Sequence, residues 1–582
     1  MRYNPGNFLR RLALPQSVKQ WSLTTLREKL VKIGAKVGGP TLPVQTYYLT
    51  NRRLISASRV GEDLMTASVM GALGQVRLGA SFLGAALVCG LAGMVAGSGP
   101  AVAAAQSTQP ATQPESSATP SGGAWRDWYD RSKNPVTWLK WGADLRLRWE
   151  YYNNAHTLNQ DLPAHERDYY RQRARLWGTF LPFPNVEINT RLAWEFRAYV
   201  APDAINSSTG RPYTHTSMDE ALFDVLNVRF RNLLGGGSQG KDADQLDLTV
   251  GRQDICLGDG WLVGDGTPLD GSRTTFFDAV RATWASKPAR TTVDLIYINQ
   301  HADSDWLVEP FSATEYPLSE QDEQGAILYV SNKSISKTTL DGYFIYKHDE
   351  PADGRSSTAP WLKPLKRGEQ GDVYTFGGRV ERELVRRLFA TGELAYQFGG
   401  KNGRTLSGLG FNGLLSYRYG DRRDNQFRLA YEYLSGDNPH TPGRNEGFDP
   451  LWGRYTRWNN DVYQPLTNME TDRSTYYQNY HRISPGWSCK PSAQTEFCLD
   501  YHLLFVAANS LAGMPAVNDT KNPASFTSGS FRGQLPSATF RYKINDNIST
   551  SVTGELFVPG NYYSDFRNDI AAFLQWNMVL SW

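Results

Sequence analysis

Residues 571–582 alternate strictly. Leu574, Trp576, Met578, Leu580 and Trp582 fall on one face; Phe573, Gln575, Asn577, Val579 and Ser581 fall on the other. A strand has a side-chain period of two, so this is a strand with one apolar and one mixed face, ending on an aromatic residue. The same alternation recurs from Trp138 onward. Lys140, Gly142, Asp144, Arg146, Arg148 and Glu150 oppose Trp141, Ala143, Leu145, Leu147, Trp149 and Tyr151. Arg171, Arg173 and Arg175 oppose Tyr170, Ala174, Leu176 and Phe180. Glu187, Asn189, Arg191, Glu195 and Arg197 oppose Val186, Ile188, Leu192, Trp194 and Phe196. Such runs are longer than the strands of most soluble domains.

Counting them gives 18 strands, near 138–152, 169–181, 185–199, 221–232, 245–255, 275–285, 290–300, 324–333, 336–348, 372–383, 387–399, 409–420, 424–436, 478–488, 496–508, 533–545, 547–558 and 571–582. Connections after the even strands are mostly short, such as Pro182-Phe183-Pro184, Arg422-Arg423 and Asp546; the stretch 233–244, with Gly235-Gly236-Gly237, is the longest of them. Connections after the odd strands are mostly long, up to 437–477. An even strand count, short turns alternating with long loops, and a final strand at the chain end predict an all-β fold. It is a transmembrane antiparallel β-barrel of about 18 strands, with long external loops and short periplasmic turns. The final strand resembles the C-terminal signal strand of bacterial outer-membrane barrels. That resemblance implies outer-membrane lipid and the barrel-assembly machinery as partners.

The longest apolar run, Leu78 to Val95, is too isolated for a helical membrane bundle. It follows Arg77 and leads to Ala101-Val102-Ala103-Ala104-Ala105, the pattern of a secretory signal peptide. Cys89 follows Val88, which is too large for a lipoprotein site. Signal peptides are terminal, yet 76 residues precede Arg77. Residues 1–37 resemble the C-terminal part of an insertion-sequence DDE transposase, without the acidic catalytic triad. The expected organisation is therefore a transposase-like N-terminal extension from a fused or misassigned reading frame (1–64), a signal peptide (65–105), a Ser/Thr/Gln/Pro-rich linker (106–137) and the barrel (138–582). Translation would start at Met65 or Met70.

Removing the leader alters the charge picture. Residues 1–105 carry 12 of the 61 basic and 3 of the 58 acidic residues, which leaves 49 and 55, net −6. The basic pI thus belongs to the leader and does not point to nucleic acid. Arginine outnumbers lysine 36 to 13 after residue 105. Such a bias suits bidentate pairing with carboxylates or phosphates. Cys489 and Cys498 flank the turn-like 490–495; centred there, a hairpin would place them opposite each other as a possible disulfide. No cysteine or histidine spacing suggests a metal, and no cofactor is expected.

An 18-strand barrel is expected to enclose water rather than a side-chain core. The polar faces then form the lumen. Its candidate substrate path consists of Arg146, Arg148, Arg171, Arg173, Arg175, Arg191, Arg197, Arg229, Arg231, Arg252, Arg379, Arg418 and Arg428. Asp144, Glu150, Glu187 and Glu195 would orient the arginines of the first four strands.

Three short motifs carry a further resemblance. The first is Gly251-Arg252-Gln253, then Gly258-Asp259-Gly260-Trp261-Leu262-Val263-Gly264, returning through Arg273-Thr274-Thr275-Phe276-Phe277-Asp278-Ala279-Val280-Arg281. The second is Tyr431-Glu432-Tyr433 with Ser435-Gly436-Asp437, followed by Gly447-Phe448-Asp449-Pro450-Leu451. The third runs through Lys490-Pro491 into Asp500-Tyr501-His502. Over about 138–582 the chain resembles the alginate-export family of outer-membrane porins. It departs from the family pattern at Trp261, where Arg is expected, and at Ala279, where Gly is expected. The resemblance implies an outer-membrane channel passing an anionic polysaccharide or oligosaccharide. A porin for small organic anions is the alternative. An outer-membrane enzyme ranks lower, because there is no Gly-x-Ser-x-Gly elbow and only 8 histidines are present. A plugged structural barrel also ranks lower.

Overall fold

The structure is a computed structural model. It describes residues 131–582 apart from 134–135, 164, 201–203, 206–211, 214–219, 235–243, 265–275, 303–307, 312–317, 320, 352–367, 454–460, 472–476 and 518. The expected segments 1–64 and 65–105, and nearly all of 106–137, lie outside the described residues.

Eighteen long antiparallel strands form the wall. They are β1 (Leu139–Asn153), β2 (Glu166–Phe183), β3 (Val186–Tyr199), β4 (Glu220–Phe230), β5 (Gln245–Gln253), β6 (Phe277–Ser286), β7 (Thr291–Gln300), β8 (Asp322–Asn332) and β9 (Thr338–Glu350). They continue as β10 (Gly371–Val385), β11 (Leu388–Lys401), β12 (Arg404–Arg418), β13 (Gln426–Leu434), β14 (Tyr480–Ser492), β15 (Thr495–Val506), β16 (Phe531–Lys543), β17 (Ile548–Pro559) and β18 (Ala571–Ser581). Each strand pairs with its sequence neighbour. β18 pairs with β1, Leu580 opposite Leu145 and Trp576 opposite Trp149, so the sheet closes on itself. Closure leaves no unpaired edge, which a wall in lipid requires.

The period of two survives in three dimensions. On β18, Leu574 and Trp576 are exposed on the outer surface, while Phe573 and Gln575 are buried inside. Leu145, Leu295, Phe376, Leu394, Leu429 and Leu499 continue the outer apolar band around the barrel. The side of the short turns carries the C-terminus and faces the periplasm; the long loops face outward from the cell. One external connection is tight. Asn402-Gly403 joins β11 to β12 with φ of 52° and 76°, the left-handed pair of a two-residue hairpin.

The interior differs from the expected open lumen. External loops fold inward and pack a core within the wall. It includes Trp261, Leu262, Val263, Phe448, Leu451, Trp452, Val462, Tyr463, Leu466 and Met469, the last at helix α1 (Thr467–Thr471). Loop residues 507–530 and 560–570 are tied to the first external loop by Arg567, which donates to Thr157 O at 2.7 Å and to Asp519 at 2.7 Å. A wide barrel leaves room for these loops, and their apolar residues escape water only by turning inward.

Candidate functional site

The inward faces of β1 to β3 place six arginines side by side. Arg146 and Arg148 come from β1, Arg171, Arg173 and Arg175 from β2, and Arg197 from β3. Cross-strand register explains the arrangement: Arg146 lies opposite Arg173, and Arg171 opposite Arg197. Carboxylates on the same faces stitch them together. Arg175 Nη2 is 2.8 Å from Asp144, and Arg173 is 3.5 Å from the other oxygen of that carboxylate. Glu195 meets Arg171 at 3.0 Å, Arg146 at 3.4 Å and Arg197 at 3.9 Å. Glu150 meets Arg148 at 3.1 Å and Arg171 at 3.5 Å. Arg146 and Arg173 are shut from solvent, at 0 % and 1 % exposed, while the side chains of Arg171 and Arg197 stay 14 % and 26 % exposed.

Next along the wall, Arg191 joins Asp224 and Asp254, each at 2.8 Å. A register shift after Arg191 makes Asp224 an extra residue on β4 and turns its side chain inward. Arg229 meets Asp247 at 2.6 Å, and Arg231 meets Glu187 at 3.1 Å; both arginines are more than a third exposed towards the periplasmic mouth. Arg418 lies at the same end of β12, its guanidinium 4.6 Å from the Phe389 ring centre. Arg428 donates to Ser488 Oγ at 3.0 Å and Asp500 at 2.9 Å. Arg379 binds Asp259, Asp341 and Glu381.

Arg252 stands apart from the candidate path. It shares the strand face of Val250, whose side chain points outward, and pairs through two nitrogens with Asp278 at 2.9 and 3.0 Å. The Phe276 ring lies 3.9 Å from its guanidinium. This arginine anchors the β5–β6 rim and has no place in a lumen ladder.

The candidate disulfide is corrected. Cys498 lies opposite Ser488, and Cys489 lies opposite Phe497. The hairpin register is one residue away from the expected one. Neighbouring strand positions point to opposite faces, so the two thiols project to opposite sides of the wall. Both are free, and Cys498 accepts a contact from Arg541 at 3.3 Å.

The feature that sequence reading missed is a pair of inward loop segments, 254–264 and 447–453. Asp259 pairs with Arg379 on β10 at 3.1 Å, and Trp261 Nε1 donates to Glu432 on β13 at 2.9 Å. The indole thus hydrogen-bonds a wall carboxylate at the position where the family pattern has Arg. Trp452 Nε1 donates to Glu323 on β8 at 2.9 Å. Asp449 meets Lys401 of β11 at 2.6 Å. Burial pushes the Asp449 carboxyl up, but the Lys401 and Lys347 ammonium groups outweigh it and hold it well below the usual carboxylate range. Carboxylate oxygens of Asp349, Glu369 and Asp449 lie within 4.8 Å of one another. Lys347 and Lys401 are bonded directly to them, so the cluster reads as an ion-pair network.

Charge is unevenly divided around the wall. Strands β1 to β4 turn Lys140, Arg146, Arg148, Arg167, Arg171, Arg173, Arg175, Arg191, Arg197 and Arg229 inward, against Asp144, Glu150, Glu187, Glu195, Glu220 and Asp224. Strands β7 to β11 turn Asp294, Glu323, Asp341, Asp349, Glu381, Glu383 and Glu393 inward, against Lys347, Arg379 and Lys401. One side is net basic and the other net acidic.

Several solved structures are similar to this chain. OccK11 (OpdR) of Pseudomonas aeruginosa shares 12 % identity at a TM-score of 0.43, covering 76 % of this chain and 96 % of that one. OccAB2 of Acinetobacter baumannii shares 10 % at 0.46, covering 76 % and 98 %. OpdK of Pseudomonas aeruginosa, solved with vanillate, shares 12 % at 0.45, covering 76 % and 99 %. No curated protein matched. The sequence model described as alginate export matches residues 137–572, almost the whole barrel. The chain is an outer-membrane β-barrel and belongs to the alginate export family.

Proposed function

We propose that this outer-membrane channel passes an anionic saccharide along the arginine-rich wall formed by β1 to β4. The observation that carries the reading is the uneven charge, basic on β1 to β4 and acidic on β7 to β11. Low-dielectric walls concentrate such a field on the path between them and draw anions to the basic side. The chemistry is exchange. A sugar carboxylate replaces Asp144, Glu150 or Glu195 as the partner of a guanidinium, making the same charge-assisted hydrogen bonds. The displaced wall carboxylate remains beside the site and competes for its return. Binding is therefore weak enough for release to the next arginine, as passage through a channel requires. Alternate inward residues of one strand are about 6.6 Å apart, so the steps are short.

A second reading, a porin for small organic anions, is favoured by the burial of Arg146 and Arg173, which leaves little width beside them. One experiment separates the two. Ion current through single channels in a planar bilayer is recorded while uronate oligomers, neutral oligomers of equal length, and benzoate are added. The saccharide reading expects brief blockades from the uronate oligomers and few from the neutral ones. Blockade by benzoate with silence from uronate oligomers favours the second reading; equal blockade by neutral oligomers refutes both. For assembly, the final strand is proposed as the segment read by the barrel-assembly machinery, and residues 65–105 as the export signal.

A further inference from the structure

We infer that the periplasmic rim of the barrel between β8 and β11 binds an anionic phospholipid of the inner leaflet, and that Arg382 meets its phosphate. This site lies on the lipid side of the wall and is independent of the cargo. Arg382 belongs to β10, opposite Thr338 of β9 and Ala390 of β11. It shares its strand face with Val380 and Leu384, which are 43 % and 50 % exposed, so its side chain points outward. Glu381 and Glu383, its neighbours in sequence, fall on the opposite face and pair with Arg379 and Lys337. Arg382 itself is exposed, and among the described residues no carboxylate pairs with it.

Its position is unusual for the wall. Among the described strand residues, every other outward side chain in the periplasmic half is uncharged, as with Trp141 on β1, Tyr417 on β12, Trp487 on β14 and Leu580 on β18. Outward charges such as Asp168, Asp278 and Asp372 stand at the external ends of their strands. An arginine on the lipid face destabilises a barrel, and the cost falls towards the interface. Arg382 is three residues from the end of β10, about 10 Å along the strand. Its methylenes can lie along Leu384 while the guanidinium reaches the headgroup layer. The planar fork of that group matches two oxygens of a phosphate, so a phosphodiester supplies the missing partner through two charge-assisted hydrogen bonds.

The turns around this position carry charge of one sign. Each of the four turns from β6–β7 to β12–β13 holds two basic residues, among them Arg290, Lys333, Arg386 and Arg422; within these turns only Asp421 and Asp424 oppose them. Across the barrel, the turns Pro184-Asn185 and Ala493-Gln494 are uncharged and the β16–β17 turn carries Asp546. The basic arc also exposes apolar side chains, Ile335 at 48 % and Val385 at 62 %. Basic heads beside exposed apolar groups suit a lipid interface, where the apolar groups enter the acyl boundary and the charges stay level with the phosphates. An anionic headgroup meets the excess positive charge of the arc, which a zwitterionic one leaves unmet. An acidic periplasmic protein could cover the turns, but it would not reach Arg382 on the lipid face.

The test titrates the full mature barrel in detergent micelles with phosphatidylglycerol and with phosphatidylcholine, and counts bound lipid by native mass spectrometry. The wild type binds phosphatidylglycerol the more tightly. Arg382→Gln weakens that binding by about fivefold, the factor one basic side chain contributes at an anionic surface. Arg382→Lys keeps the charge but not the fork and weakens it less. Lys543→Gln removes the same charge from a lumen-facing position on β16 and leaves binding unchanged. Folding is read from heat-modifiable mobility on gels, and Arg386→Gln replaces Arg382→Gln should the latter fail to fold. A second measurement is the urea midpoint in phosphatidylcholine vesicles: added phosphatidylglycerol raises it for the wild type and not for Arg382→Gln. Unchanged binding by folded Arg382→Gln overturns the site and leaves the basic turns to an acidic protein surface. Equal loss in Lys543→Gln, equal binding of the two lipids by the wild type, displacement of the lipid by inorganic phosphate, or tighter binding of lipopolysaccharide at this arginine overturns it as well.

Discussion

Replacing Arg171, Arg173 and Arg175 together by Gln removes three charges from the basic wall. That wall carries nine inward arginines, Lys140 and six inward carboxylates on β1 to β4, so its net charge falls from +4 to +1. Glu195 keeps Arg146 and Arg197, and Glu150 keeps Arg148, but Asp144 loses Arg173 and Arg175. Adding Asp144→Asn supplies a version in which no carboxylate is stranded, at a net charge of +2. An ion passing at roughly 7 Å feels about 0.6 kcal/mol from each charge at the dielectric constant of water. Screening at 0.1 M salt, with a Debye length of about 10 Å, halves this to about 0.3 kcal/mol. Three charges shift the anion up and the cation down by about 0.9 kcal/mol each, so the anion-to-cation permeability ratio changes by about twentyfold at 0.1 M and by about twofold at 1 M, where the Debye length is about 3 Å. The assay is the reversal potential across a salt gradient in a planar bilayer, at both concentrations. The wild-type channel prefers anions, and the preference fades with salt. A folded triple variant with an unaltered reversal potential at 0.1 M refutes the argument, and so does a cation-selective wild type.

Other consequences can be checked more simply. Thiol titration of the denatured, unreduced protein detects both Cys489 and Cys498, because they face opposite sides of the wall; a protected pair contradicts the register. Leu145→Arg, on the outer face midway along β1, destabilises the barrel by about 2–4 kcal/mol in denaturant titrations with lipid vesicles. Ser551→Arg, on the inner face of β17, changes stability far less; equal losses would invalidate the assignment of faces. N-terminal sequencing of outer-membrane material begins near Gln106, and a mature chain that retains Trp21 excludes the proposed leader.

Much of the wall was legible because lipid imposes a rigid pattern. Lipid on one side and polar groups on the other force alternate residues apart, so Leu574 and Trp576 separate from Phe573 and Gln575 by parity alone. The same parity turned Arg146, Arg171 and Arg197 inward, with Asp144, Glu150 and Glu195 among them. Parity fails wherever the backbone departs from a regular pleat. Arg252 is no such failure: alternation from Asp247 and Thr249 already places it on the face of Val250, so its expected place in the lumen path was itself a departure from parity. At the β14–β15 hairpin a difference of one residue in register separates Cys489 from Cys498. No composition signal marks that register, since it depends on the local turn.

The interior was misread for a different reason. The width of an 18-strand barrel argues for water inside, yet width equally permits loops to enter. Polar anchors along a loop look like ordinary surface residues in a sequence, because Asp259 and Asp449 gain their partners only after the chain has returned into the barrel. A usable signal was nevertheless present. Gly325 and Gly410 occupy inward positions in strands where lipid exerts no demand for small side chains. A glycine weakens a strand unless something approaches it closely. Here the approaching groups are Trp452, Phe448 and Trp261, which lie in or beside the very motifs that carry the family resemblance. Those motifs therefore have a physical reading of their own: they encode segments that enter the lumen and the aromatic rings that lie against these glycines. Inward glycines on wide-barrel strands, matched to aromatic residues in the long loops, are the pattern by which such an element can be sought from sequence.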